Sequence, residues 1–181
     1  MEQKDNKMKK YRITDDSGFL AIVNPARYNG FVSSDWEFED LVERFKIEMK
    51  NNNLIIWSSG GEGSWNVHVL ESASGREAAR QFDKLIEVTE GQLLLTNYED
   101  LTMAAQFEDE HLITESNKNQ LFDIKNGLYN ATIRQLNHAE HTGSTGGTSS
   151  NERSDFEIIL TPFVPENSIK DHIETIMWFA S

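Results

Sequence analysis

The sequence predicts a mainly β fold with helices, an α+β protein in which antiparallel sheets pack as a sandwich. Eight or nine short apolar runs follow one another at near-regular spacing, and clusters of Gly, Asn, Asp and Ser separate them. One stretch, about residues 35–50, has helical periodicity instead. A chain of 181 residues with 38% hydrophobic residues fits one domain over residues 1–181.

The first two predicted strands flank a turn cluster. Residues 1–9 are polar, and we expect them to be frayed. Tyr11–Thr14 and Phe19–Val23 then lie on either side of Asp15-Asp16-Ser17-Gly18, a composition typical of a tight turn. This pattern predicts a first β-hairpin.

The helix has a start signal, an apolar stripe and a stop signal. Ser34 followed by Glu37 has the spacing of a capping box, so the helix should run from about Asp35 to Lys50. Asn51-Asn52-Asn53 ends it. Five apolar residues fall on one face of this helix: Phe38, Leu41, Val42, Phe45 and Met49.

The central part of the chain reads as strands, a second turn and a helical turn. Leu54–Trp57 and Val67–Leu70 are predicted strands on either side of the glycine loop 60–63. The apolar residues 85–88 and 93–95 flank Glu90-Gly91, which predicts a tight hairpin. We expect extended structure from about residue 80, with a helix over residues 76–87 as the alternative. Residues 102–107 follow as a compact apolar helical turn.

The last part of the chain predicts another hairpin and a long loop. Leu121–Ile124 and Leu128–Leu136 lie on either side of Lys125-Asn126-Gly127, whose Asn-Gly pair suits a hairpin turn. Residues 139–152 are rich in Gly, Ser and Thr and are expected to form a flexible loop. Phe156–Thr161 should then pair with residues 128–136. Residues 169–180 fit either a helix capped by Ser168 or an edge strand at 176–179.

One short run has a resemblance to a known family. Residues 121–129, LFDIKNGLY, resemble a hairpin of the bacterial ComJ-type nuclease inhibitors. The resemblance covers fewer than ten residues, so no residue role is carried over from it.

The charge of the chain restricts its partners. The formal net charge is −13, and residues 54–181 carry 20 Asp and Glu against 8 Lys and Arg. Such a surface repels phosphate backbones and attracts basic proteins and cations, so we expect no nucleic-acid binding. No apolar run approaches the roughly 20 residues of a membrane span. The N-terminus also lacks an apolar signal region, and we therefore expect a cytoplasmic protein that does not associate with membranes.

No motif in the sequence specifies a catalytic or metal centre. The absence of cysteine excludes thiolate nucleophiles and Cys-based metal sites. The glycine loop 60–63 lacks the Lys of a phosphate-binding loop, and a strand follows it rather than a helix. His138 and His141 lie in the Gly/Ser-rich loop without helical support. We expect no catalytic residue, no metal and no cofactor.

Acidic residues and one tryptophan are the candidate partner-binding residues. Between residues 99 and 115 there are six acids and no Lys or Arg. We therefore predict a partner site at Glu99, Asp100, Glu108, Asp109 and Glu110, or alternatively a solvated face. Trp65, beside the glycine loop, is the aromatic candidate.

Two functional hypotheses follow from these features. The first is a non-enzymatic acidic interaction domain that binds a basic protein, in the manner of an immunity protein or a nuclease inhibitor. It rests on the charge asymmetry and on the lack of a catalytic pattern. The alternative is a carboxylate-based hydrolase or a carbohydrate-binding domain that uses residues 58–65.

Overall fold

Two β-sheets and two α-helices make up the fold. The structure is a computed structural model, and it describes residues 8–136, 153–167 and 175–179. The predicted α+β class, with sheets packed as a sandwich, is confirmed. The helices are α1, Phe38–Lys50, and α2, Tyr98–Gln106, with single 3-10 turns at Lys118–Gln120 and Pro165–Asn167. The strands are β1 Lys9–Asp15, β2 Phe19–Val23, β3 Leu54–Ser58, β4 Gly63–Leu70, β5 Ala78–Val88, β6 Gln92–Asn97, β7 Leu121–Asp123, β8 Gly127–Leu136 and β9 Phe156–Pro162.

The strands form a five-stranded sheet, in the order β1-β4-β9-β8-β5, and a four-stranded sheet, in the order β3-β2-β6-β7. The predicted pairing of β9 with β8 is confirmed. Neighbouring strands are antiparallel with one exception, the pair β4 and β9. Strand β9 therefore runs antiparallel to β8 on one side and parallel to β4 on the other.

The three predicted hairpins are wrong, because each of their turns carries the chain from one sheet to the other. β1 pairs with β4 whereas β2 pairs with β3 and β6. β5 pairs with β8 whereas β6 pairs with β2 and β7, and β8 pairs with β5 and β9 but not with β7. Turn residues specify a reversal of the chain, but a reversal can place two strands side by side or face to face across the core.

The four-stranded sheet is the middle layer of the molecule. One of its faces contributes Leu20, Ile55 and Leu95 to the core between the sheets. The other face contributes Ala21, Ile56 and Leu94 to a second core beneath the helices. Burial on both faces explains why β2, β3 and β6 are continuous apolar runs rather than alternating ones.

Helix α1 begins later than the sequence predicts. Its N-cap is Glu37, whose backbone N–H donates to Asp40 Oδ2 at 3.1 Å. The predicted capping box of Ser34 and Glu37 is therefore wrong, and residues 35–37 precede the helix. Glu37 and Asp40 have the same spacing as Ser34 and Glu37, three residues further along the chain. The sequence therefore contains two possible capping boxes, and the helix uses the second. Four of the five predicted stripe residues face the second core, namely Leu41, Phe45 and Met49 with Val42 packed against them, whereas Phe38 is 40% exposed.

The chain after β4 continues with a long strand and a short helix. Residues 78–88 form strand β5, so the helix alternative over 76–87 is wrong. The helical turn before Phe107 belongs to α2. Met177 bridges β3, since its N–H donates to Ile56 O at 3.2 Å and its carbonyl accepts from Ser58 N–H at 2.9 Å. This contact is a single β-bridge, and residues 176–179 form no strand. Residues 1–7, the loop 139–152 and residues 168–174, which include most of the helix alternative, lie outside the described residues.

The carboxylate of Asp15, which is fully buried, joins two of the turns between the sheets. Its Oδ1 accepts from the N–H groups of Ser17, Gly18 and Phe19 at 3.0, 2.7 and 3.1 Å. Its Oδ2 accepts from Ser59 Oγ at 2.6 Å, and Ser59 N–H donates to Gly18 O at 2.8 Å. The β1–β2 turn and the β3–β4 turn are therefore held together by one side chain.

Replacing Phe45 or Leu94 by Ala should lower the free energy of unfolding by about 2–5 kcal/mol, because both are fully buried in the second core. Urea denaturation measures the change. Ile47→Ala, at an exposed position of the same helix, is the control and should cost less than about 0.5 kcal/mol. Costs as small as the control at both buried positions would contradict the assignment of α1 and β6 to one core.

Asp15→Ala should destabilise the fold by about 3 kcal/mol, because it leaves four donors without their charged acceptor. Ser59→Ala removes one of the four bonds and should cost about 1 kcal/mol. The neighbouring Asp16, which is exposed, provides the control Asp16→Ala. Equal stabilities of the Asp15 and Asp16 variants in urea denaturation would show that the buried carboxylate is not needed.

Candidate functional site

The predicted partner-binding acids lie at the two ends of α2. Glu99 and Asp100 are in its first turn, whereas Glu108, Asp109 and Glu110 follow its last turn. A helix of nine residues separates the two groups by roughly 12 Å. The structure therefore brings Glu108, Asp109 and Glu110 together and places the other two acids apart from them.

The two acids at the start of α2 are hydrogen-bonded within the fold. Asp100 Oδ2 accepts from Thr96 Oγ1 at 2.7 Å and from Asn117 Nδ2 at 3.0 Å. Asn117 in turn donates to Leu112 O at 2.8 Å, so Asp100 anchors the segment that follows the exposed acids. Glu99 Oε1 accepts from Ser17 Oγ. Both carboxylates thus have structural partners.

The sixth candidate, Trp65, packs into the molecule. It lies on β4, half-buried, with its ring edge-on to Phe156 at a centroid distance of 5.5 Å. The adjoining loop is equally committed to the fold, because Ser59 is buried and bonded to Asp15. Residues 60–62 of this loop are exposed, and the alternative of a sugar or hydrolase site in residues 58–65 stays a prediction.

Two exposed apolar side chains precede the acids that follow α2. Met103 on α2 and Phe107, its C-cap residue, are 47% and 42% exposed. We call Met103, Phe107, Glu108, Asp109 and Glu110 the α2 surface. Within the described part of the chain, none of its three acids forms an ion pair. The α2 surface therefore combines accessible apolar area with unneutralised negative charge.

Sequence reasoning identified the acids of the α2 surface and missed its apolar residues. Leu101, Ala104 and Ala105 supply the buried face of α2, so Met103 and Phe107 are not required by the core. These two extra apolar residues were the feature of the sequence that could have indicated a binding surface. A short helix that is apolar on both faces has more hydrophobic residues than its packing uses.

A polar row crosses the outer face of the five-stranded sheet. It consists of register neighbours on five adjacent strands: Lys10, His68, Glu157, Arg134 and Gln81. Arg134 Nη1 lies 2.5 Å from Glu157 Oε2, and both side chains are buried. Because the attraction offsets the cost of removing two charges from water, the row tolerates this ion pair at its centre.

His68 in this row is only 7% exposed, although its place between Val67 and Val69 predicts an outward-facing side chain. Its Nε2 is buried and has no hydrogen-bond partner among the described residues. Burial, with a further contribution from the positive charge of Lys10, lowers the pKa of His68 below its usual value of 6.5. His68 is therefore neutral at neutral pH.

No metal or membrane feature is found in the described ranges. No group of three His, Asp or Glu side chains there could hold a metal ion. Nor is any described helix long and apolar enough to cross a bilayer.

Comparisons with known proteins locate the fold. No protein-family model matches the sequence, and no curated protein matches it. Two solved structures are similar in three dimensions. The first, described as crocagin biosynthetic gene J, has a TM-score of 0.60 at 16% identity and covers 87% of this chain and 97% of its own. That similarity shows a shared fold. The second is ComJ from Bacillus subtilis, an inhibitor of the DNA-degrading activity of NucA, with a TM-score of 0.47 at 10% identity over 86% of this chain and 96% of its own.

Lowering the pH should destabilise the protein partly through His68. Because its pKa is lower in the folded state, the unfolded state binds more protons below about pH 6.5, and stability falls as the pH decreases. His68→Gln removes this contribution, so its loss of stability between about pH 7.5 and pH 5 should be smaller than that of the wild type. Urea denaturation at both pH values tests this. An equal loss in both proteins would contradict the role given to His68.

Proposed function

We propose that the protein is a non-enzymatic interaction domain that binds a basic protein through the α2 surface. The observation that carries the proposal is the exposure of Met103 and Phe107 directly before three exposed acids that have no cationic partner in the described chain. Protein interfaces typically combine apolar anchors with a polar rim, and the α2 surface has both components.

The charge of the whole chain supports the same proposal. A net charge of −13 creates a negative field that accelerates the approach of basic proteins and slows the approach of acidic ones. Nucleases are one class of partner with the required chemistry, because a surface that binds a phosphate backbone is cationic. More specifically, we propose that the protein acts as an immunity protein or a nuclease inhibitor.

The two components of the α2 surface should contribute differently to binding. Glu108, Asp109 and Glu110 are exposed, so they steer the encounter and contribute little to the stability of the fold. Phe107 is large and partly accessible, so contact with a partner would remove its ring from water and slow dissociation. A mutation in each component therefore has its own kinetic signature.

Reversing the charges of Glu108, Asp109 and Glu110 to Lys should slow association with a basic partner and flatten its salt dependence, while the melting temperature changes little. The partner is captured from the native host's lysate at low and high salt, identified by mass spectrometry and then purified. Association rates measured by surface plasmon resonance over a range of salt concentrations test the expectation.

A control with the same change of charge separates the local effect from the global one. Glu62, Glu71 and Glu77 are exposed on other loops, and their reversal to Lys should slow association less. Phe107→Ala should instead increase the dissociation rate, by about tenfold for an interface anchor. Identical association rates for the two triple variants, or capture of an acidic protein that binds both equally, would refute the α2 surface as the docking site.

The same reversal of Glu108, Asp109 and Glu110 also tests a metal site. If the wild type binds Ca²⁺ in calorimetry and this variant does not, the three acids are an oxygen-ligand site.

A further inference from the structure

The outer face of the five-stranded sheet carries a pocket whose charge is opposite to that of the protein as a whole. The pocket has a volume of about 680 Å³, within the range of small-molecule sites. Three cationic side chains line it, Lys10, Arg76 and Arg153. In a chain with a net charge of −13, such a local concentration of positive charge is unexpected.

The single carboxylate in the pocket wall does not neutralise these cations. Glu157 is already paired with Arg134 at 2.5 Å, beneath the pocket. Lys10 and Arg153 are exposed, and neither forms an ion pair with a described residue. Among the described residues, Glu157 is the one acid in the pocket wall, and it is paired with Arg134.

Arg76 is fixed in position by the fold. Its Nη1 donates to the carbonyl oxygen of Ser154 at 3.2 Å and to Ser154 Oγ at 3.1 Å. Ser154 is itself buried. A guanidinium held in place loses less conformational freedom when it binds an anion, so Arg76 is a preorganised cationic group in the pocket wall.

His68 lines the same wall. The residue is more than nine-tenths buried, and its Nε2 is enclosed by the protein without a hydrogen-bond partner in the described ranges. A buried polar atom without a partner is energetically unfavourable.

The remaining walls are partly apolar. Leu70 lies beyond His68 on the same face of β4, and Met8 and Ala73 complete that side. We propose that the pocket binds a small organic anion, a carboxylate or a phosphate, whose charged group pairs with Lys10, Arg76 and Arg153 and whose apolar part covers the exposed Met8 and Ala73. The two headgroups share the same recognition chemistry, since both accept hydrogen bonds from a guanidinium.

This pocket is independent of the α2 surface. The α2 surface flanks the core on the helix side of the four-stranded sheet, whereas the pocket lies on the outer face of the five-stranded sheet. The two sites are therefore on opposite sides of the sandwich, and either can bind without the other.

Isothermal titration calorimetry with four probes at about 0.15 M salt tests the proposal. Phenyl phosphate and benzoate present the two headgroups on an aromatic ring, and binding of either one is the expected result. Benzylamine has the same ring with a positive charge and should not bind. Inorganic phosphate lacks the ring and should bind about tenfold more weakly than phenyl phosphate, because Met8 and Ala73 remain uncovered. Binding of benzylamine, or of no anion, would overturn the proposal, and equal affinities for the two phosphates would overturn its apolar part.

Two double variants with the same change of charge locate the binding site. Lys10→Ala/Arg153→Ala removes the two exposed cations of the pocket. The affinity of the pocket for the anion should fall by about tenfold. Lys50→Ala/Lys125→Ala removes two exposed cations elsewhere and should leave the affinity within about twofold of the wild type. Equal effects of the two variants would show that the anion responds to net charge rather than to the pocket.

Discussion

The arrangement of the two sheets depends on one buried anion. Removing an ionised carboxylate from water is costly unless hydrogen bonds replace its hydration, and Asp15 receives three from backbone N–H groups and one from Ser59. Its donors come from two turns that are 44 residues apart in sequence. Because both turns pass between the sheets, the carboxylate fixes where the chain crosses and therefore how the two sheets are superposed.

The middle position of the four-stranded sheet imposes the next constraint. A sheet that is apolar on both faces must be covered on both, and α1 and α2 provide the second cover. Helix α2 has nine residues and needs three of them, Leu101, Ala104 and Ala105, for this packing. Its opposite face is free to carry residues that the core does not require. The α2 surface is thus located on an element whose position is determined by the sheet beneath it.

Sequence patterns predicted most of the strands and the longer helix, because burial periodicity and turn composition are local properties. They did not predict strand partners, since Asp15–Gly18 or Glu90-Gly91 reverses the chain equally well within a sheet or between sheets. The same distinction applies to the sites. Glu108, Asp109 and Glu110 are adjacent in sequence and were recognised. Lys10 and His68 meet only through the register of β1 and β4, and Arg153 reaches the same pocket from the segment before β9. A net charge of −13 averages over both sides of the sandwich and conceals the cationic pocket.

The contact of Met177 with β3 affects how the protein behaves at high concentration. β3 is the outermost strand of the four-stranded sheet, and an uncovered outer strand can pair with the sheet of another molecule. Met177 uses the N–H of Ser58 and the carbonyl oxygen of Ile56, which are two of the groups that such a pairing would need. At the opposite end of this sheet, β7 has three residues and offers little length for pairing. Both outer strands of the four-stranded sheet thus leave fewer backbone groups free for edge-to-edge pairing.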